Sequence, residues 1–161
     1  ARVEALHCAR YYRQRGAHVY VGYLYNHESP RRPQGSVVRQ VSDGVVRLRK
    51  GLDEKLVLGN PEVIKEWTWA GDIARGILTM IDQDEIYESN IGSGIGHSVM
   101  EFAEACGAQL GLDLARLIES QPHYVEQYES FTCNPERIMS LGWKPTVGLN
   151  ELAKIMVDAR K

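Results

Sequence analysis

Seven consecutive residues, Asn26-His27-Glu28-Ser29-Pro30-Arg31-Arg32, gather an amide, an imidazole, a carboxylate and two guanidinia. Packing explains such a set poorly. Arginine forks give paired, charge-assisted hydrogen bonds to phosphate oxygens, so the segment suits an anion such as a phosphate ester. The surrounding charge agrees. Residues 31–50 hold six bases (Arg31, Arg32, Arg39, Arg47, Arg49, Lys50) against Asp43 alone, whereas residues 82–129 hold ten acids against Arg116. A formal net charge of −2 argues against general nucleic-acid affinity and leaves a local anion site.

Other chemistries lack their signatures. Cys8, Cys106 and Cys133 are odd in number and show no Cys-x-x-Cys spacing, so they read as buried thiols of a reducing compartment. Histidines 7, 18, 27, 97 and 123 have no tight metal-ligand spacing, and no metal site is expected. No Gly-x-Ser-x-Gly elbow occurs. Gly92-Ser93-Gly94-Ile95-Gly96 follows an expected strand as a dinucleotide loop would, but His97 stands where the third glycine belongs. It reads as a tight connection. Trp67 and Trp69 are candidate stacking surfaces for a sugar or base, with core packing favoured for Trp67.

The elements that position these residues follow from periodicity. Residues 2–15 have helical spacing through Val3, Leu6, Ala9 and Tyr12, stopped at Gly16. The apolar run 19–25 predicts a strand buried on both faces. Pro30, Pro33 and Gly35 keep residues 26–35 irregular, and Val38, Val41, Val45 and Leu48 mark a helix over 37–50. A short strand follows at 55–58. A helix over 72–81 takes Asp72 as N-cap, and a strand covers 86–91. Ser98 with Glu101 forms a capping box opening the next helix; the last helices lie at 135–140 and 151–159. Alternating strands and helices make the chain α/β.

Composition fits that class. Apolar residues are 43% and charged residues 25%, as in soluble globular proteins, and 161 residues suffice for about one domain. The longest apolar run, seven residues, falls far short of the roughly 20 that span a bilayer. The N-terminal segment, studded with Arg, Glu and His, is unlike a signal peptide. A chain that opens inside a helix looks like the back half of a larger sheet.

The loop also carries a family resemblance. Tyr25-Asn26-His27-Glu28-Ser29-Pro30-Arg31-Arg32 resembles the Phe-Asn-His-Glu-Ser-Pro-Arg-Arg segment of GDP-mannose 4,6-dehydratases, extended short-chain dehydrogenase/reductases acting on nucleotide sugars. The likeness runs on through Arg39, Gly51-Leu52, Leu58-Gly59-Asn60, Trp67 and Asp72. It then takes in Ser98-Val99, Gln109-Leu110-Gly111, Asn134-Pro135 and Leu141-Gly142-Trp143-Lys144-Pro145. It implies the C-terminal half of an extended Rossmann-type fold: the last Rossmann elements over about residues 1–30, then the smaller substrate-binding lobe. By this resemblance Asn26 holds the sugar-phosphate portion of the substrate. His27 lies near the nicotinamide half of NADP, and Arg32 reaches a cofactor phosphate across a subunit interface. Arg39 lies near the nucleotide and Lys65 near the pyrophosphate.

The departures are specific. The family's Arg-Asp-Trp reads Lys65-Glu66-Trp67, which keeps a charge but loses the arginine fork. Its Thr-Arg-Lys reads Val38-Arg39-Gln40, and its Arg-Pro-x-Glu falls on Tyr124, Val125 and Gln127, so the base need not be guanine. The Gly-x-x-Gly-x-x-Gly turn, the Tyr-x-x-x-Lys pair and the Thr with Glu belong to the family's other half, which is expected to be absent, and the chain alone is not expected to turn over. The family reaction moves hydride from C4 to NADP, loses water across C5–C6 and returns hydride to C6. The expected parent is a cytoplasmic, oligomeric, NADP-dependent lyase acting on a nucleotide-diphosphate sugar, with GDP-mannose favoured. The rivals are another nucleotide-sugar epimerase or reductase and a non-catalytic nucleotide-sugar-binding module.

Overall fold

The computed structural model describes residues 1–121 and 128–161. The first elements are α1 (Arg2–Arg13), β1 (Val21–Leu24), β2 (His27–Glu28), α2 (Val37–Arg49), β3 (Leu56–Leu58), β4 (Ile64–Glu66) and β5 (Thr68–Trp69). Then come α3 (Ala70–Ile81), β6 (Glu88–Ile91), β7 (Gly96–Ser98) and α4 (Val99–Ala108). The chain closes with β8 (Ile118–Ser120), β9 (Ser130–Phe131), α5 (Glu136–Ser140) and α6 (Leu149–Asp158).

Among the described residues the strands form small sheets. β1 pairs parallel with β6, Val21 opposite Glu88 and Leu24 opposite Ile91. β2 pairs parallel with β5, and β3 parallel with β8. β4 lies between antiparallel β7 and parallel β9, with Lys65 opposite both His97 and Phe131. The α/β class is therefore observed, with crossovers between the parallel strands.

Two apolar clusters hold these layers. In the larger, α2 turns Val38, Val41 and Val45 toward α4 and α6, and each valine is fully buried. Burying such a side chain contributes about 1.5–3 kcal/mol. Gly44 lets β3 press against this helix, since a Cβ there would lie 2.5 Å from Leu56 Cδ1. Trp67 is core, stacked on Phe102 at 4.4 Å and donating from Nε1 to His97 O at 2.9 Å. The smaller cluster joins Ile73 and Met80 of α3, Ile91 of β6, Ile138 of α5 and Trp143.

Several sequence expectations need correction. β1 is not buried on both faces: Tyr23 and Leu24 are exposed, Leu24 lining the open cavity of about 600 Å³ at the carboxyl end of the strand. The segment 26–35 is not wholly irregular, since β2 lies within it. Cys8 is exposed, unlike Cys106 and Cys133, because only Ala9 of α1 is buried. The capping box of Ser98 and Glu101 is present, with both hydrogen bonds made.

Asp72 is not an N-cap. It sits inside α3, whose cap is Trp69, and is buried. Its carboxylate accepts from Thr146 N at 2.8 Å, Thr146 Oγ1 at 2.7 Å, Val147 N at 3.0 Å and Arg75 Nη2 at 2.6 Å. Burial opposes its ionisation, but these hydrogen bonds outweigh burial and hold its pKa below the ordinary carboxylate value. A first-turn Asp thus pins a segment 74 residues away to α3.

Candidate functional site

The Asn26–Arg32 loop leaves the carboxyl end of β1, where open α/β sheets place their ligands. Tyr25 N still donates to Ile91 O, and Asn26 O accepts from Thr68 N, so the loop starts from a fixed backbone. His27 Nδ1 lies 2.8 Å from Tyr25 O. A carbonyl only accepts, so Nδ1 carries the proton and a neutral ring keeps Nε2 as an acceptor.

Glu28, the next residue, is 4% exposed. Arg32 Nε approaches its Oε2 to 3.0 Å without hydrogen-bonding geometry, which leaves that oxygen unsatisfied. Burial pushes the Glu28 carboxyl up to about 7, against the opposing pull of Arg32 and Lys65. Glu28 thus has both cations in its electrostatic reach. Arg32 is 44% exposed, so its fork is open to a ligand beyond the ion pair.

Two cavities flank this centre. One of about 600 Å³ opens beside β1 and is lined by Arg2, Tyr25, His27, Asn90 and Phe131 among others. The other, about 300 Å³, opens at the start of α2 and is lined by Gln40, Asn60, Lys65, Val99 and Gln121. Phe131 and Lys65 are register partners across β4 and β9, so the cavities adjoin the same strand pair.

The residues singled out in the sequence are thus partly brought together. Asn26, His27 and Arg32 share the loop, and Lys65 acts on Glu28. Arg39 stands apart: its Nε donates to Asp43 at 2.7 Å. Asp43 also lies 3.3 Å from Arg160 Nε, and Arg160 Nη2 donates to Pro30 O at 2.6 Å. Arg39 thereby belongs to a strap joining α2, the end of α6 and the loop. The basic stretch 31–50 is correspondingly less free than its sequence suggests, since Arg32, Arg39 and Arg47 all face carboxylates. Tyr124, Val125 and Gln127 lie outside the described residues.

Sequence reasoning missed Glu66, which is fully buried. Its carboxylate accepts from Ser93 N at 2.7 Å and from Cys133 N, binding the loop after β6 and the segment after β9 to β4. A Cβ on Gly92 would lie 2.3 Å from Glu66 Oε2, so that glycine makes room for the carboxylate. The Gly92–Gly96 stretch is accordingly a connection between β6 and β7. Cys133 stands beside Glu66, and burial, reinforced by that carboxylate, pushes its thiol up to about 12. Trp69, the N-cap of α3, packs against the larger apolar cluster. Among the described residues no group of three or more His, Cys, Asp or Glu could hold a metal ion. No helix there is long and apolar enough to cross a membrane.

Known proteins agree with this architecture. The family model for GDP-mannose 4,6 dehydratase matches residues 2–156. The chain belongs to the GDP-mannose 4,6 dehydratase family. GDP-mannose 4,6 dehydratase 2 of Arabidopsis thaliana is 34% identical over 140 residues, a match covering 85% of this chain and 38% of the relative. GDP-mannose 4,6 dehydratase of Homo sapiens is 30% identical over 159 residues, covering 86% of this chain and 42% of the relative. The chain therefore spans about two-fifths of these GDP-mannose 4,6 dehydratases. Among solved structures, RMD from Pseudomonas aeruginosa complexed with NADPH superposes with a TM-score of 0.84 at 20% identity, covering 94% of this chain and 51% of that one. The dTDP-glucose 4,6-dehydratase of Bacillus anthracis, in complex with NAD, gives 0.76 at 19%, covering 96% and 48%. Those likenesses establish the Rossmann-type epimerase/dehydratase fold.

Proposed function

We propose that this chain is the nucleotide-sugar-binding, C-terminal part of an NADP-dependent nucleotide-sugar 4,6-dehydratase, with GDP-mannose as the favoured substrate. One observation carries the reading: the loop that matches the family segment stands at the carboxyl end of β1, with a cavity on His27 and a second on Lys65. Residues 1–161 form the substrate lobe with the last Rossmann elements, and the cofactor-binding half and the Tyr-x-x-x-Lys pair come from outside these residues. The parent is a cytoplasmic homo-oligomer in this reading; the two buried free cysteines favour a reducing compartment.

The residues divide the work by chemistry. Lys65 sets its charge against the pyrophosphate, and Asn26 holds the sugar-phosphate portion. Arg39 contacts the nucleotide by releasing part of its bond to Asp43, which Arg160 continues to hold. Arg32 offers its exposed fork to a cofactor phosphate, and His27 offers Nε2 as an acceptor toward the nicotinamide half. These groups fit a dinucleotide, whose nicotinamide supplies reversible hydride transfer when bound. The relatives named for GDP-mannose favour that sugar over the UDP-sugars.

Calorimetric titration of GDP into the chain tests this. Lys65→Ala is expected to weaken binding by about 1–3 kcal/mol, as for other charge-assisted contacts, while Lys65→Arg retains it. An unchanged affinity in Lys65→Ala would overturn the pyrophosphate assignment.

A further inference from the structure

We propose that Arg160 is a positioning residue that relays capture of the nucleotide by Arg39 to the Asn26–Arg32 loop, with Asp43 as the moving part. The proposal rests on the reading above that Arg39 meets the nucleotide. Four groups from three parts of the fold form one line of contacts. Arg39 Nε donates to Asp43 Oδ2 at 2.7 Å within α2. The other oxygen, Asp43 Oδ1, faces Arg160 Nε at 3.3 Å, just beyond the end of α6. Arg160 Nη2 donates to Pro30 O at 2.6 Å, in the middle of the loop.

The weak link in this line is Arg160 itself. Its side chain is 12% exposed, and its Nε is buried without a hydrogen bond although Asp43 stands beside it. A buried N–H without an acceptor is costly, because folding strips its water and returns nothing. A small turn of the Asp43 carboxylate would supply the acceptor, but the shorter bond to Arg39 holds it. Among the described residues two guanidinia thus compete for one carboxylate, and only Arg39 is hydrogen-bonded to it.

A nucleotide resolves the competition. Arg39 is 25% exposed, and a ligand oxygen that takes its N–H groups releases Asp43. The freed carboxylate then bonds to Arg160 Nε, the donor that lacked a partner. Nε and Nη2 belong to one rigid plane, so a turn at Nε also turns the nitrogen that holds Pro30 O. Pro30 lies between Glu28 and Arg32, and Arg32 N donates to Ser29 O across it at 3.1 Å. The loop therefore shifts with Arg160 and carries the Arg32 fork. The two states differ in named contacts, Arg39 on Asp43 in one and Arg160 on Asp43 in the other, which is what coupling between two sites requires.

The first test uses the wild-type chain, with arginine Nε–H groups and backbone amides followed by ¹⁵N NMR as GDP is added. The Arg160 Nε–H signal is expected to move downfield and exchange more slowly with water, in step with Arg39, while the Arg31 and Arg32 amides shift. A change at Arg39 with none at Arg160 would overturn the relay. Calorimetric titration of GDP into variants supplies the second test. In Arg160→Ala, Asp43 keeps Arg39 from the ligand, so affinity should fall about tenfold, within the ordinary range of coupling between sites. Adding Asp43→Asn to that variant releases Arg39 and should recover most of the loss. Arg160→Lys keeps a charge for Asp43 and should retain GDP affinity, but it lacks the rigid plane and should lose the shifts at Arg31 and Arg32. A double variant as weak as Arg160→Ala would reduce Arg160 to a structural role and overturn the proposal. GDP binding that leaves Arg39 unchanged, or no binding at all, would instead defeat the nucleotide reading on which the proposal rests, and the proposal with it.

Discussion

Replacing Glu66 by Gln should destabilise the chain more than any exposed substitution, although Glu66 carries no proposed contact to a ligand. Two backbone donors bond to its carboxylate, Cys133 N and Ser93 N, the second also reaching Thr68 Oγ1 at 3.1 Å. An amide offers one oxygen and one NH₂ group, so one of the two donors would face another donor. An unsatisfied buried donor costs about 1–3 kcal/mol, and the charge-assisted strength of the other bond falls as well. The expected loss is about 2–4 kcal/mol, a large share of the roughly 5–15 kcal/mol that stabilises a domain. Gly92→Ala should also destabilise, because its Cβ would meet Glu66 Oε2 at 2.3 Å. In Glu66→Ala the space opens, so adding Gly92→Ala to that variant should cost less than in the wild type. Urea unfolding followed by circular dichroism measures all four variants. A Gln variant within about 0.5 kcal/mol of wild type, or additive costs in the double variant, would refute the reasoning.

Three further outcomes follow from buried groups. Glu28 binds its proton more tightly folded than unfolded, with the pKa raised from 4.5 to about 7. The contribution of Glu28 to stability should therefore be fullest below 4.5 and fall by about 3 kcal/mol as pH rises to 7, and Glu28→Gln should remove that part of the slope in denaturation curves. A slope unchanged in Glu28→Gln would assign it elsewhere. Asp72 acts oppositely: its pKa is lowered when folded, so its contribution is present above about 3.9 and lost as pH falls through the depressed value. Asp72→Asn should shift the acid unfolding midpoint measured by Trp fluorescence. Cys8 is exposed, while burial pushes the Cys106 and Cys133 thiols up to about 12. A thiol reagent should therefore label one cysteine in the native chain and three in urea.

What could be read from the sequence was local. The valine spacing of α2 and the Ser98–Glu101 box are written within a few residues, and the structure contains both. The place of the Asn26–Arg32 loop at a strand end was legible because the apolar run before it is long. The two- and three-residue strands β2, β4, β5, β7, β8 and β9 were not, since so short a pairing leaves no alternation to detect. Glu66 and Asp72 escaped for a related reason. A carboxylate in a strand or first helical turn looks ordinary until its partners, 27 and 74 residues away, are folded beside it. The exposure of Tyr23 and Leu24 was equally hidden, because an apolar run does not say which layers cover it. Arg39 shows the converse limit, since its partner Asp43 was visible one turn along the helix.

The most direct measurement is an NMR titration of ¹⁵N-labelled chain with GDP-mannose. Binding in the two cavities predicts saturable shifts at Lys65, Gln40 and Asn60 on one side and at His27, Asn90 and Phe131 on the other. Absence of shifts at millimolar ligand, or shifts confined to surfaces remote from both cavities, would contradict the assignment of this chain as a nucleotide-sugar-binding lobe.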